Sequence, residues 1–235
     1  MSKYSLLLFD LDDTLLSSSW FNDGLIQTLG MHPITRSLDA SKFIEKKLHV
    51  PKTLINQLKN RKLTPLEFRR ARWRHAFSYF NLSPDVDLID ELDVLFFKTA
   101  MTFIGINNSV TCLLNELKAH YHLGIVTNGL YDPKLKISHM GLTKVFSDNK
   151  IFHSEQLGYR KPDPEIYSVV LNHFTKKPEE ALFIGDSWIH DVVGPMEVGM
   201  DAIWVNSKRN TRATSHIPVA VVSDVLEIRN ILLTN

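Results

Sequence analysis

The chain of 235 residues has one cysteine, no long apolar run and almost no net charge. A single cysteine, Cys112, excludes an internal disulfide and suits a reducing compartment. It falls in an apolar helical pattern, which predicts a small buried hydrophobe rather than a nucleophile. Lys3 precedes an apolar stretch, but Asp10 interrupts it before a signal-peptide core would be complete. Nothing approaches the ~18 consecutive apolar residues of a membrane span. With 27 basic against 26 acidic residues the net charge is +1, so the composition has no bias toward polyanions or anionic membrane surfaces. There is no internal repeat and no low-complexity tract. The expectation is a cytoplasmic protein, monomer or homodimer, with no nucleic-acid and no membrane partner.

The most informative stretch runs from Leu6 to Leu15. Leu6-Leu7-Leu8-Phe9 reads as a strand buried on both faces, as in parallel sheets. It stops at Asp10, where Asp10, Asp12 and Asp13 follow within four positions. Ligands of open α/β sheets bind beyond the carboxyl ends of the strands. Side chains at i and i+2 of an extended segment share a side, so Asp10 and Asp12 can face one small volume. Two carboxylates that close repel unless something compensates. Either a hard divalent cation such as Mg2+ sits between them, or one of them is kept protonated as a general acid. Asp12-Asp13-Thr14 would also serve simply as helix caps.

From Ser17 to about Phe103 no buried strand is legible. Helical patterns cover 20–29, 40–48, 51–58, 64–80 and 84–101, with Pro51, Pro65 and Pro84 in first turns and Thr64 and Ser83 as caps. Beyond this block the chain alternates. Strand patterns at 122–127, 150–154, 181–185, 202–206 and 219–222 are separated by helical ones at 110–121, 164–174, 190–200 and 224–233. Such alternation implies βαβ units and a parallel sheet with right-handed crossovers. The predicted fold is α/β, a doubly wound parallel sheet with an inserted all-helical domain. Its α/β core would comprise 1–16 and 104–235, and the helical insertion 17–103.

Three further strand ends carry polar residues. Thr127-Asn128-Gly129 follows one strand with a hydroxyl, an amide and a flexible backbone that could face an anion, although Asn-Gly is also a common turn. Lys161 stands between Arg160 and Pro162, held out of helix by Pro162 and Pro164; it is a candidate point charge for a phosphate, or an exposed surface lysine. Gly185-Asp186 ends another strand, with Asp191 five residues after Asp186 as a metal ligand, a water-orienting group or a cap.

Taken in order, Asp10-x-Asp12-x-Thr14, Thr127-Asn128, Lys161-Pro162 and Gly185-Asp186 with Asp191 resemble the haloacid dehalogenase-like (HAD) hydrolase superfamily, in its helical-cap phosphatase members. The match spans essentially the whole chain, including the cap between the first two motifs. The resemblance implies a Rossmann-like core and Mg2+ as cofactor. It implies Asp10 as a nucleophile that forms an aspartyl-phosphate, and Asp12 as the acid and then the base, with a raised pKa. Mg2+ would be held by Asp10, Asp186 and the Asp12 main chain, with Asp191 ligating it or orienting its water. Lys161, Thr127, Asn128 and Gly129 would receive the phosphoryl group. The dehalogenases that name the superfamily typically carry an aromatic residue where this chain has Asp12, which favours phosphoryl transfer. The implied activity is a Mg2+-dependent phosphatase of a small phosphorylated metabolite, a 5′-nucleotide or a sugar phosphate. A phosphomutase, or a non-catalytic binding protein on the same fold, are the alternatives. His190 and Pro195 stand where relatives commonly have asparagine and alanine.

In the helical block, Leu66, Trp73, Phe77 and Phe80 share a helix face flanked by Arg69 and Arg70. This reads as a packed stripe edged by solvated arginines, or as a cap face from which one arginine reaches the active-site mouth. Trp20 and Phe21 are expected as apolar hinge contacts. His120 and His122, and the basic loop from Lys208 to Arg212, are expected at the surface.

Overall fold

A computed structural model describes residues 3–233. The chain divides into two compact units, one formed by residues 1–17 and 105–235 and the other by 18–104.

Among its described residues the first unit holds six parallel strands: β1 (Leu6–Phe9), β2 (His122–Thr127), β3 (Ile151–His153), β4 (Ala181–Gly185), β5 (Asp201–Val205) and β6 (Ala220–Val222). They lie in the order β3-β2-β1-β4-β5-β6, a doubly wound sheet whose winding reverses between β1 and β4. Phe9 is in register with Ile125 on one side and Ile184 on the other. All four residues of β1 are buried, as expected of a central strand covered on both faces. Between the strands run helices at Asn108–Lys118, Pro133–His139, Ser154–Leu157 and Pro164–Phe174. Pro164–Phe174 starts on Asp163 with Pro164 at its first position, where the missing N–H is harmless. It packs Ile166, Tyr167 and Val170 against Leu6, Leu8 and Phe183.

Two helical expectations change here. The pattern over 190–200 is not one helix: a π-helical turn, Trp188–Val193, runs into a short α-helix, Gly194–Glu197, with Pro195 in its first turn. Proline removes an N–H and cannot sit in a helix interior, so the α-helix begins beside it. The short helix Pro133–His139 has no counterpart in the sequence reading, because two turns leave too few apolar repeats to show a period. Its start was nevertheless legible: Asp132 accepts a hydrogen bond from the Lys134 N–H at 2.8 Å, and Pro133 opens the first turn. Cys112 is exposed, contrary to expectation, since the buried face of its helix is Val110, Leu113, Leu114 and Leu117.

The second unit is wholly helical: Ser19–Met31, Ala40–Leu48, Lys52–Lys59, Pro65–Tyr79 and Val86–Met101. Thr64 closes a capping box with Glu67, and Asp85, not Ser83, caps the last helix. Phe43, Trp73, Phe77 and Phe96 form the aromatic centre, with Phe43 and Phe77 edge-on at 5.0 Å. The buried stripe of Pro65–Tyr79 is Phe68, Arg72, Trp73, Ala76 and Phe77; Leu66 is exposed. Arg69 pairs with Asp93 at 2.9 Å, and Arg70 grips Asp90 through two nitrogens. Both guanidinium groups are thus engaged within the helical unit. Among the described residues no helix is long and apolar enough to cross a membrane.

Candidate active site

The reversal between β1 and β4 leaves a crevice at the carboxyl ends of the strands, the usual ligand position in such sheets. A pocket of ≈ 210 Å³ opens there, lined by Asp10, Asp12, Thr127, Asn128, Gly129, Lys161, Asp186, Ser187, His190 and Asp191. Every site residue read from the sequence is among them.

Asp10 leaves β1 with its N–H bonded to the Ile184 carbonyl at 2.9 Å, so the sheet register itself aims its side chain. The next residues turn tightly: the N–H groups of Leu15 and Leu16 both return to the Leu11 carbonyl. Asp13 adopts φ 66°, a left-handed conformation that Asp tolerates better than most residues. Its carboxylate takes Lys208 of the basic loop at 2.8 Å, which places that loop's first lysine beside the site.

Lys161 is buried and bridges two acids, with Nζ at 2.7 Å from Asp10 and 2.6 Å from Asp191. It is not a surface lysine. Burial alone would lower its pKa, and the two carboxylates more than reverse that. Asn128 fixes its backbone: the side-chain amide donates to the Lys161 carbonyl at 2.8 Å and the side-chain oxygen accepts its N–H at 3.0 Å. The Asn128 side chain therefore positions Lys161, a role that the reading of Asn128 as an anion donor did not contain.

Carboxylate oxygens of Asp10, Asp186 and Asp191 lie within 4.8 Å of one another. Asp191, fully buried, accepts the Ser187 N–H at 2.9 Å and lies over Gly185, where a Cβ would stand 2.4 Å from its Cγ. Only glycine fits at that strand end. Burial raises Asp10 to about 7; Lys161 opposes and Asp191 reinforces the rise. Burial, then the charge of Asp191, raises Asp186 to about 6. Lys161 bridges two of the three acids, and the charges of Lys208 and Lys161 oppose but do not cancel the rise at Asp186. That deficit of positive charge and the all-oxygen donor set match a hard divalent cation.

Asp12 belongs to a separate arrangement. Both its carboxylate oxygens meet the Lys136 ammonium, at 2.7 and 2.8 Å. Lys136 comes from the short helix Pro133–His139 and is itself buried. The sequence reading missed this residue with its helix. Gly129 accommodates the pair, since a Cβ there would lie 3.1 Å from Asp12 Oδ2 and 3.3 Å from Thr127 Oγ1. The Thr127 hydroxyl accepts the Gly129 N–H at 3.0 Å, and buried His153 bonds the Gly129 carbonyl at 2.8 Å.

Comparison with known proteins identifies the family. Residues 4–195 match the model of the haloacid dehalogenase-like hydrolases. The pyrimidine 5′-nucleotidase PynA of Streptococcus pneumoniae is 29% identical over 97% of both chains. The crystal structure of the HAD-hydrolase YfnB from Bacillus subtilis, bound to magnesium, superposes with a TM-score of 0.79 at 24% identity, covering 99% of this chain and 100% of that one. A 2-haloacid dehalogenase from Pseudomonas syringae shares the fold, with a TM-score of 0.71 at 24% identity and 98% of both chains covered. With four motifs assembled in one crevice and a family match over most of its length, the chain belongs to the haloacid dehalogenase-like hydrolases.

Proposed function

We propose that the protein is a phosphatase of small phosphorylated metabolites, with nucleoside 5′-monophosphates as the first substrate class to test. One observation carries the reading: two carboxylates two positions apart, Asp10 and Asp12, face the same pocket, each paired with a different buried lysine. Hydrolysis through a covalent intermediate needs a nucleophile and a separate proton donor. Carbon–halogen cleavage needs no acid at the second position, and the dehalogenase neighbours support the fold only.

In the proposed cycle an Asp10 oxygen attacks phosphorus while the bond to the leaving oxygen breaks, and the Asp12 proton passes to that oxygen. A water then attacks the aspartyl-phosphate and gives its proton back to Asp12, and the bond to Asp10 breaks to release phosphate. Lys161 offsets charge on the phosphoryl oxygens beside the nucleophile, and the Thr127–Gly129 turn receives them. Asp10, Asp186 and Asp191 would hold Mg2+, which when bound supplies further positive charge to the phosphoryl group. The nucleotide preference is supported by PynA, a pyrimidine 5′-nucleotidase along almost its whole length. The helical unit is read as the cap that selects the leaving group.

The test is Mg2+-dependent phosphate release from a panel of nucleoside and sugar monophosphates, with Asp10→Asn as control. Turnover of one group, abolished by EDTA and by the substitution, supports the reading. Folded protein that is silent on the panel and on p-nitrophenyl phosphate refutes it.

A further inference from the structure

Asp10 and Asp12 are two residues apart, yet their carboxylates pair with different lysines. Asp10 joins Asp186 and Asp191 around Lys161. Asp12 stands outside that acid cluster and is held through both oxygens by Lys136. The contact spans 124 positions of chain and is built from two sides. Lys136 is 1% exposed, whereas the Asp12 side chain is 33% exposed and faces the pocket. Gly129 keeps clear the space in which the two groups meet, since any Cβ there would press on Asp12 Oδ2 and approach Lys136 Nζ to 3.6 Å. Two short bonds from one buried nitrogen tie both Asp12 oxygens to a fixed point, which favours the rotamer observed.

We propose that Lys136 is a positioning residue for the reaction: it clamps the Asp12 carboxylate away from the metal-type cluster and presents it to the leaving oxygen. This rests on the phosphatase reading for its chemistry. Lys136 makes and breaks no bond to substrate; the proton travels between Asp12 and the leaving oxygen, and then between water and Asp12. The effect is one of orientation, which governs proton transfer far more than it governs binding.

The experiment compares wild type with Lys136→Met and Lys136→Arg in single turnovers, following release of the alcohol from a nucleoside 5′-monophosphate and from p-nitrophenyl phosphate. An alkoxide needs a proton to leave and p-nitrophenolate does not. Loss of positioned general acid is expected to slow the nucleotide roughly 10²-fold and the aryl ester less than about fivefold. KM should stay within about threefold, and Lys136→Arg, which can still grip both oxygens, should recover most of the rate. Equal losses on the two esters, or no loss, overturn the proposal. Crystal structures of the same variants test the clamp without reference to turnover. The Asp12 carboxylate should leave its position in Lys136→Met and keep it in Lys136→Arg; if it stays in both, the clamp is refuted. Should wild type cleave no phosphate ester, the phosphatase reading falls by itself and the structures alone decide the role of Lys136. Lys136→Gln serves both comparisons if the methionine variant does not fold.

Discussion

Lys47 should destabilise the protein, and replacing it by methionine should reveal by how much. Its side chain is fully buried in the helical unit, and Nζ meets no hydrogen-bond acceptor among the described residues. The nitrogen lies 3.9 Å from the centre of the Trp73 ring and 5.6 Å from that of Phe96. Burial, followed by the charge of Arg72, drives its pKa well below the usual lysine value; Asp93 opposes the fall, and Arg69 adds to it. An ammonium in such a place gains up to about 2 kcal/mol from the rings, far less than the cost of desolvating it. The amine is therefore the favoured form, and as a buried unsatisfied donor it costs ~1–3 kcal/mol. Methionine removes the polar atom, keeps an unbranched chain and adds sulfur–aromatic contacts of ~0.3–1.5 kcal/mol. Against this stands about 1 kcal/mol for the one-atom void it leaves. Near and above pH ~10.4, where the unfolded lysine is also neutral, the net expectation is a gain of ~1–2 kcal/mol, or about 2–8 °C in Tm for a chain of this size; each pH unit below that adds up to about 1.4 kcal/mol until the lowered value is reached.

The sign of the pH dependence is set by proton uptake. Because the folded state holds the Lys47 proton more weakly than the unfolded chain, unfolding takes up a proton between the lowered value and ~10.4. Wild-type stability therefore gains a positive slope with pH in that window, and Lys47→Met lacks it. Urea denaturation at several pH values from 6 to 9.5, followed by far-ultraviolet circular dichroism, measures both quantities. The advantage of methionine should be largest at the acid end and shrink toward pH 9.5. A methionine variant less stable than wild type, or a gap independent of pH, would refute the reasoning.

Three other predictions address the site and the helical unit. Because burial raises Asp186 to about 6 and Asp10 to about 7, a cation must displace protons from the cluster at acid pH. Mg2+ should accordingly raise Tm more at pH 7.5 than at pH 5.5 and release protons on binding near pH 6, which calorimetry in buffers of different ionisation enthalpy detects; pH-independent binding would contradict the cluster as its site. Gly129→Ala forces a methyl against Asp12 and Thr127, and should lower kcat at least tenfold, on the order of one lost 1.4 kcal/mol interaction, while circular dichroism stays native. Thr64→Ala removes both hydrogen bonds of the Thr64 hydroxyl, to the Glu67 N–H and to its carboxylate, and leaves only the backbone half of the capping box on Pro65–Tyr79; it should cost about 1 kcal/mol in urea denaturation with phosphate release unaffected, and an unchanged midpoint would show the cap to be idle.

The succession of strands along the chain, the boundaries of β2 and β4, and eight of the ten residues that line the crevice were legible in the chain because they are local or end-of-strand signals. Leu6–Phe9 is apolar throughout and stops at Asp10, and that pattern needs no knowledge of the neighbours to announce a central strand with acids at its tip. Proline and capping signals likewise mark where Pro164–Phe174 and Pro65–Tyr79 begin. What only the tertiary structure decided is how the polar groups pair. Lys136 is one of several lysines in a weakly periodic stretch, and nothing within ten residues of it names Asp12 as its partner. Asn128 reads as an anion donor until the fold brings Lys161 against it. Arg69 and Arg70 read as solvated or substrate-facing until Asp93 and Asp90 appear across the next helix. A period of 2 or 3.6 encodes which face of an element is covered. The identity of the group that covers it is set by contacts between segments distant in the chain, and the chemistry of this site depends on those contacts.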